Sequence, residues 1–167
     1  MITIGVCDDE ILEAFHISAR IQTLMEEMQI TCSVERFCSG QELLSSLERF
    51  DIIFLDILMK GMDGMETARR CRELAFEKTL IFLTSSRRYV FDAYDVEAFH
   101  YLVKPVEDGK LRHVLKRAVE KERQHSSDYI VVSRERQRRK LFLDSIRYFE
   151  IRGRKIDVHE EKGIFTY

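Results

Sequence analysis

Five side chains in this 167-residue chain stand out for the chemistry they could do together: Asp8, Asp9, Asp56, Thr84 and Lys104. Three carboxylates drawn into one place repel, and the simplest relief is a bound divalent cation. Oxygen donors in small number suit Mg2+, which keeps several waters and takes further oxygens from a substrate phosphate. Beside such an ion Asp56 stays ionised and can attack phosphorus as a nucleophile. Thr84 offers a hydroxyl, and Lys104 an ammonium that pairs with phosphate as a point charge. Phosphoryl transfer asks mainly for positioning and charge neutralisation, and these groups supply both. Each residue also has an ordinary reading. Asp8 and Asp9 suit helix N-caps, Thr84 a capping hydroxyl, and Lys104 the solvated surface. Asp56, set between Leu55 and Ile57, fits such a reading poorly.

The elements that must position them follow from hydrophobic period. Short apolar runs rich in β-branched and aromatic residues occur at 2–7, 31–37, 52–55, 80–83 and 98–103, and each has strand length. Longer amphipathic stretches lie between them. Glu10–Met28 reads as a helix with Ile11, Phe15, Ile21, Met25 and Met28 available for its inner face. Ser39 and Glu42 form a capping box for the second helix, and Leu111, Val114, Leu115, Ala118 and Val119 recur at helical spacing in the last. Five β-α repeats predict an α/β fold, a doubly wound parallel sheet covered on both faces. The flavodoxin-like strand order 2-1-3-4-5 is taken over from known sheets of this kind. In it the first and third strands are neighbours, so Asp8, Asp9 and Asp56 converge at the C-terminal sheet edge, where open parallel sheets bind ligands.

The pattern changes after Gln124. Residues 123–128 read as a linker, and a short all-β segment follows. Its strands are predicted at 129–133, 140–143, 148–151, 155–159 and 164–167, with a basic turn at Arg134–Arg139. Residues 1–125 carry 17 Lys and Arg against 22 Asp and Glu, and residues 126–167 carry 10 against 7. An acidic front and a basic tail point to two modules with different partners. A single proline and seven glycines argue against disorder. Cys7, Cys32, Cys38 and Cys71 form no C-x-x-C pair and read as free thiols. The apolar runs are too short to cross a bilayer. The opening MITIGVCDDE has no basic start before an apolar stretch, so the expected compartment is the cytoplasm.

Taken in order, CDDE (7–10), FLDILMKGMDG (54–64), FLTSS (82–86) and FHYLVKP (99–105) closely resemble the receiver family of two-component response regulators. That resemblance implies Asp56 as the phosphoacceptor, with Asp8, Asp9, Asp56 and the backbone carbonyl of Leu58 as Mg2+ ligands. It makes Thr84 and Lys104 the contacts to the phosphoryl group and Tyr101 the aromatic switch partner of Thr84. It gives Ser85 as the small residue that lets phosphate approach. A sensor histidine kinase is the implied partner, and a homodimer the implied response to phosphorylation. Tyr101 alone would read as core.

The tail resembles the opening of a LytTR-type DNA-binding domain, through LDSIRYFEIRGRKIDVH (143–159) and the preceding YIVVSRERQRRKLFL. The domains expected are therefore a receiver at 1–122 and a partial LytTR-like module at 129–167 that stops mid-domain. Arg152, Arg154 and Lys155 become candidate contacts to promoter DNA, and solvated turns are their ordinary reading. Three functions follow: a response-regulator transcription factor, a receiver acting through protein contacts alone, and an Asp-nucleophile phosphatase. Haloacid-dehalogenase-type phosphatases carry a second aspartate two residues after the nucleophile. Leu58 stands there, which argues against turnover.

Overall fold

The computed structural model describes residues 1–125, 129–134, 137–143, 146–153, 155–160 and 163–166. The chain divides into two compact units, Met1–Glu120 and Lys121–Tyr167. In the first, β1 (Ile2–Cys7), β2 (Cys32–Phe37), β3 (Ile52–Leu55), β4 (Thr79–Thr84) and β5 (His100–Val103) form one parallel sheet in the order β2-β1-β3-β4-β5. Helices α1 (Ile11–Glu27), α2 (Gly40–Leu44), α3 (Gly64–Glu73), α4 (Asp92–Asp95) and α5 (Asp108–His125) complete the pattern, with a 3-10 turn at Leu47–Arg49. The predicted fold class and strand order are both found.

The strands alternate between two cores, as a pleat of period two requires. Ile4, Val6, Ile52, Phe54, Ile81 and Leu83 pack with α1 and α5, through Ile21, Met25, Leu111 and Leu115 among others. Cys7, Ile53, Leu55, Leu80 and Phe82 pack on the other face with Leu43 of α2 and Met65, Ala68 and Cys71 of α3. Strands buried on both faces are near-continuous apolar runs, and β3 reads Ile-Ile-Phe-Leu without a polar break.

The inner stripe of α1 differs from expectation. Ile11 and Phe15 are 69% and 55% exposed, and Ala14, Ile17, Ile21, Leu24 and Met25 line the core instead. Ile21, Met25 and the partly buried Met28 are placed as predicted. The helix turns its stripe toward Ala14 and Ile17, and the Phe15 ring lies beneath the Arg36 guanidinium, 5.5 Å from its centroid. The second helix starts where its cap places it: the Glu42 amide donates to Ser39 Oγ at 3.3 Å, and Glu42 Oε2 accepts from the Cys38 amide at 3.1 Å. Neither Asp8 nor Asp9 is the α1 cap, a position held by Glu10 without a side-chain bond. All four cysteines are free. Among the described residues no helix is long and apolar enough to cross a membrane.

In the second unit β6 (Tyr129–Arg134) pairs with β7 (Gln137–Phe142), and β8 (Ile146–Arg152), β9 (Lys155–Glu160) and β10 (Gly163–Thr166) form an antiparallel sheet. The predicted basic turn is shorter than expected. Arg138 and Arg139 pair with Ser133 and Val132 inside the hairpin, and only residues 135–136 separate the strands. Helix α5 runs through His125, into the stretch expected to be a linker.

Candidate functional site

Each site residue sits at or just past the C-terminal end of a strand. Asp8 and Asp9 follow β1, Asp56 follows β3, Thr84 ends β4 and Lys104 follows β5. The last rungs of the sheet, Cys7 with Leu55 and Thr84 with Val103, fix these ends side by side. Backbone bonds carry the alignment one residue further: the Asp56 amide donates to the Cys7 carbonyl at 2.9 Å, and the Lys104 amide to the Thr84 carbonyl at 2.9 Å. Asp8, Asp9 and Asp56 consequently each bring a carboxylate oxygen within 4.8 Å of the others.

Lys104 closes the group. Its Nζ lies 2.5 Å from Asp8 Oδ2 and 3.8 Å from both Asp56 Oδ2 and Glu13 Oε2. The Lys104–Pro105 peptide is cis. The other carboxylate oxygens are held by backbone: Asp8 Oδ1 accepts from the Glu10 amide at 3.0 Å, Asp56 Oδ1 from the Ile57 amide at 2.7 Å, and Asp9 Oδ2 from the Lys60 amide at 3.1 Å. Burial raises the Asp8 carboxyl above its ordinary range, and the nearby charge of Asp56 adds to that, although Lys104 and the Glu10 amide pull the other way. For Lys104, burial works against the charged form, yet the bond to Asp8 and the charges of Asp56 and Glu13 outweigh it, and its ammonium is held above the usual lysine value. One ammonium among these acids leaves a surplus of negative charge. Hard oxygen donors with such a surplus fit a small divalent cation.

Thr84 is fully buried, and its Oγ1 accepts from the Ser86 amide at 3.4 Å. Tyr101, on β5, packs its ring 6.0 Å from that of Phe82 and donates its hydroxyl to the Ser86 carbonyl at 2.8 Å. Leu58 lies in the loop after Asp56 with its side chain 48% exposed.

A family model described as a response regulator receiver domain matches residues 4–116. The chain belongs to this receiver family. An uncharacterized response regulatory protein of Vibrio cholerae is 33% identical over 111 residues, which cover 65% of this chain and 41% of that one. The sensory transduction protein LytT of Bacillus subtilis is 26% identical over 117 residues, 70% of this chain and 48% of that one. The chain thus spans less than half the length of these two relatives. Among solved structures, the response regulatory domain of MrkE from Klebsiella pneumoniae superposes with a TM-score of 0.66 at 25% identity, covering 74% of this chain and 99% of that domain.

Two further residues belong to the receiver pocket. A Cβ on Gly64 would stand 2.0 Å from the Asp56 carbonyl oxygen and 2.7 Å from Ile57 Cα, so glycine is what lets α3 start against the Asp56 loop. The Gly64 amide donates to the Ile57 carbonyl at 2.9 Å across that contact. Its only local signal is a glycine in the segment FLDILMKGMDG. Glu13, from the first turn of α1, reaches Lys104 and had no signal beyond its charge.

The tail candidates are distributed differently. Arg152 and Lys155 pair across the tip of the β8–β9 hairpin, with Gly153 at φ +66° in the turn. Arg152 donates to Glu150 Oε2 at 2.9 Å and lies 3.4 Å from Asp157 Oδ2. Arg154 lies outside the described residues.

Proposed function

We propose that this receiver accepts a phosphoryl group on Asp56 from a sensor histidine kinase and controls transcription through a LytTR-type output that begins in the tail. The observation that carries the reading is the convergence of Asp8, Asp9 and Asp56 on one pocket with the Lys104 ammonium against it. Asp56 Oδ1 is engaged by the Ile57 amide, which leaves Oδ2, on the Lys104 side, as the nucleophilic oxygen. Oδ2 forms a bond to phosphorus as the P–N bond of a phosphohistidine breaks, and the electron pair leaves with the imidazole. Asp8, Asp9, Asp56 and the Leu58 carbonyl would hold Mg2+, whose charge would offset that of the phosphoryl oxygens. Lys104 pairs with one of those oxygens and Thr84 donates its hydroxyl to another.

Phosphorylation adds a charge of about −2 and three acceptor oxygens. Thr84 moves toward them and Tyr101 leaves Ser86 for the space Thr84 vacates. The surface of α4, β5 and α5 changes with it and pairs with a second copy. Residues 1–122 are the receiver in this scheme and 129–167 the opening of the output, with Arg152, Arg154 and Lys155 as contacts to promoter DNA. A receiver that acts through protein contacts alone is the second reading, favoured by the engagement of Arg152 with Glu150 and Asp157.

The test is labelling by acetyl phosphate with Mg2+. The chain should take up one phosphoryl group, and Asp56→Asn should take up none; stoichiometric labelling of Asp56→Asn would remove the assignment. Salt-dependent retardation of duplex DNA separates the transcriptional reading from the second one.

A further inference from the structure

Glu13 stands where nothing in the phosphoacceptor scheme requires an acid. Its Oε2 is 3.8 Å from Lys104 Nζ, the same distance as Asp56 Oδ2. The Glu13 side chain is about half exposed, whereas those of Asp8 and Asp56 are buried. Lys104 is therefore shared by a buried acid that holds it closely, the reactive acid, and a solvated acid on the rim. A lysine ammonium is a compact charge on a flexible four-carbon stem, able to turn between such partners.

We propose that Glu13 is a positioning residue for Lys104: it draws the ammonium toward the rim and away from Asp56, and so weakens the pocket for highly charged phosphoryl donors. The proposal rests on the phosphoacceptor reading of Asp56. An incoming phosphoryl group brings two negative charges, or nearly so, into a pocket that already holds a surplus. Glu13 opposes it twice, as a like charge and as a competitor for the cation that must meet it. Because Glu13 is half exposed, both effects weaken as salt rises, chiefly toward 1 M, where the Debye length of about 3 Å falls below the 3.8 Å that separates Glu13 from Lys104. Repulsion from the buried acids is screened much less.

The experiment compares the full chain with Glu13→Gln and Glu13→Asp. The readout is kcat/KM for labelling, with acetyl phosphate and with the less charged phosphoramidate, at low and high salt with Mg2+. Glu13→Gln should raise kcat/KM for acetyl phosphate by roughly threefold to tenfold at low salt, a range fitting a half-exposed charge a few ångströms away. The gain should be smaller for phosphoramidate and should narrow as salt is raised to about 1 M, and Glu13→Asp should return most of the wild-type behaviour. A Glu13→Gln protein with unchanged or lower kcat/KM, or a gain indifferent to salt and donor charge, overturns the proposal while Asp56 labelling stands. Labelling of Asp56→Asn at the wild-type rate overturns the phosphoacceptor reading and this inference with it. A second readout needs no phosphorylation. In metal-free protein carrying 15N-lysine, Glu13→Gln should move the Lys104 Nζ resonance, and an unmoved resonance would also overturn the proposal.

Discussion

The Tyr101 hydroxyl donates to the Ser86 carbonyl at 2.8 Å, tying β5 to the loop that leaves Thr84. The ring rests against Phe82, and burial raises the phenol above its ordinary value, an effect that the charge of Asp56 increases. Tyr101 thus packs its apolar body against the core and sets its polar tip on backbone of the loop that follows Thr84, at the Ser86 carbonyl and beside Tyr89.

Tyr101→Phe removes that bond and the hydroxyl's interaction with the Tyr89 backbone, and keeps the ring. The expected cost is no more than about 1 kcal/mol, the net worth of a partly buried neutral hydrogen bond. The sharper readout is hydrogen exchange of the amides from Ser86 to Val90, which should quicken in the variant. Unchanged exchange would mean that the hydroxyl does not restrain this loop.

Among the described glycines, Gly64→Ala should be the most damaging substitution. The atoms met by the new Cβ are backbone, the Asp56 carbonyl oxygen and Ile57 Cα, so no side chain can swing aside. A loss of about 1–3 kcal/mol in urea unfolding is expected, together with slower labelling by acetyl phosphate. Gly109→Ala is the control. Nothing lies within 4 Å of its added Cβ, and it sits in the first turn of α5, so it should be neutral or stabilise by up to about 1 kcal/mol. Equal effects from the two substitutions would refute the close-approach argument.

Asp51 gives the fold a pH signature. Burial alone would raise its carboxyl, but Lys78 Nζ at 2.7 Å and the Thr3 amide and hydroxyl at 2.8 Å each hold it below the ordinary value. A carboxyl depressed in the folded state stabilises above its unfolded pKa of about 3.9, and that contribution is lost as pH falls through the folded value. Asp51→Asn should therefore cost about 1–2 kcal/mol at neutral pH, and the gap to wild type should narrow steadily below about pH 4. A gap that stays constant from pH 7 to pH 3 would show that the carboxylate charge is not its source.

The site was legible in the sequence where burial and chemistry collide. A strand covered on both faces reads as a near-continuous apolar run and rarely admits a charge, so the acid after Cys7, the acid after Leu55 and the lysine after Val103 mark the sheet edge. The phase of the α1 stripe was less legible. Ala14 and Ile17 are apolar as well as Ile11 and Phe15, and periodicity gives the width of a stripe, not its rotation, when both rotations are populated. Arg138 and Arg139 suggested a turn by charge, yet a two-stranded hairpin admits arginines along its length. Glu13 acts on Lys104, far away in sequence, and Gly64 on the backbone of Asp56 across a loop, and only the folded chain shows what they touch.

Every reactive group hangs from the same row of final rungs, so the two rims of the sheet differ in what they tolerate. Residues can be spliced in at the opposite rim, for instance at the Gln29–Ile30 bend before β2, without moving any rung. Removing one residue within β1 would turn its side chains to the other face and carry Asp8 and Asp9 out of reach of Asp56. Variation in length spares the pocket on one rim and destroys it on the other, which makes the Gln29–Ile30 turn, away from the Thr3–Asp51–Lys78 contacts, a place to insert a reporter or open the chain for permutation.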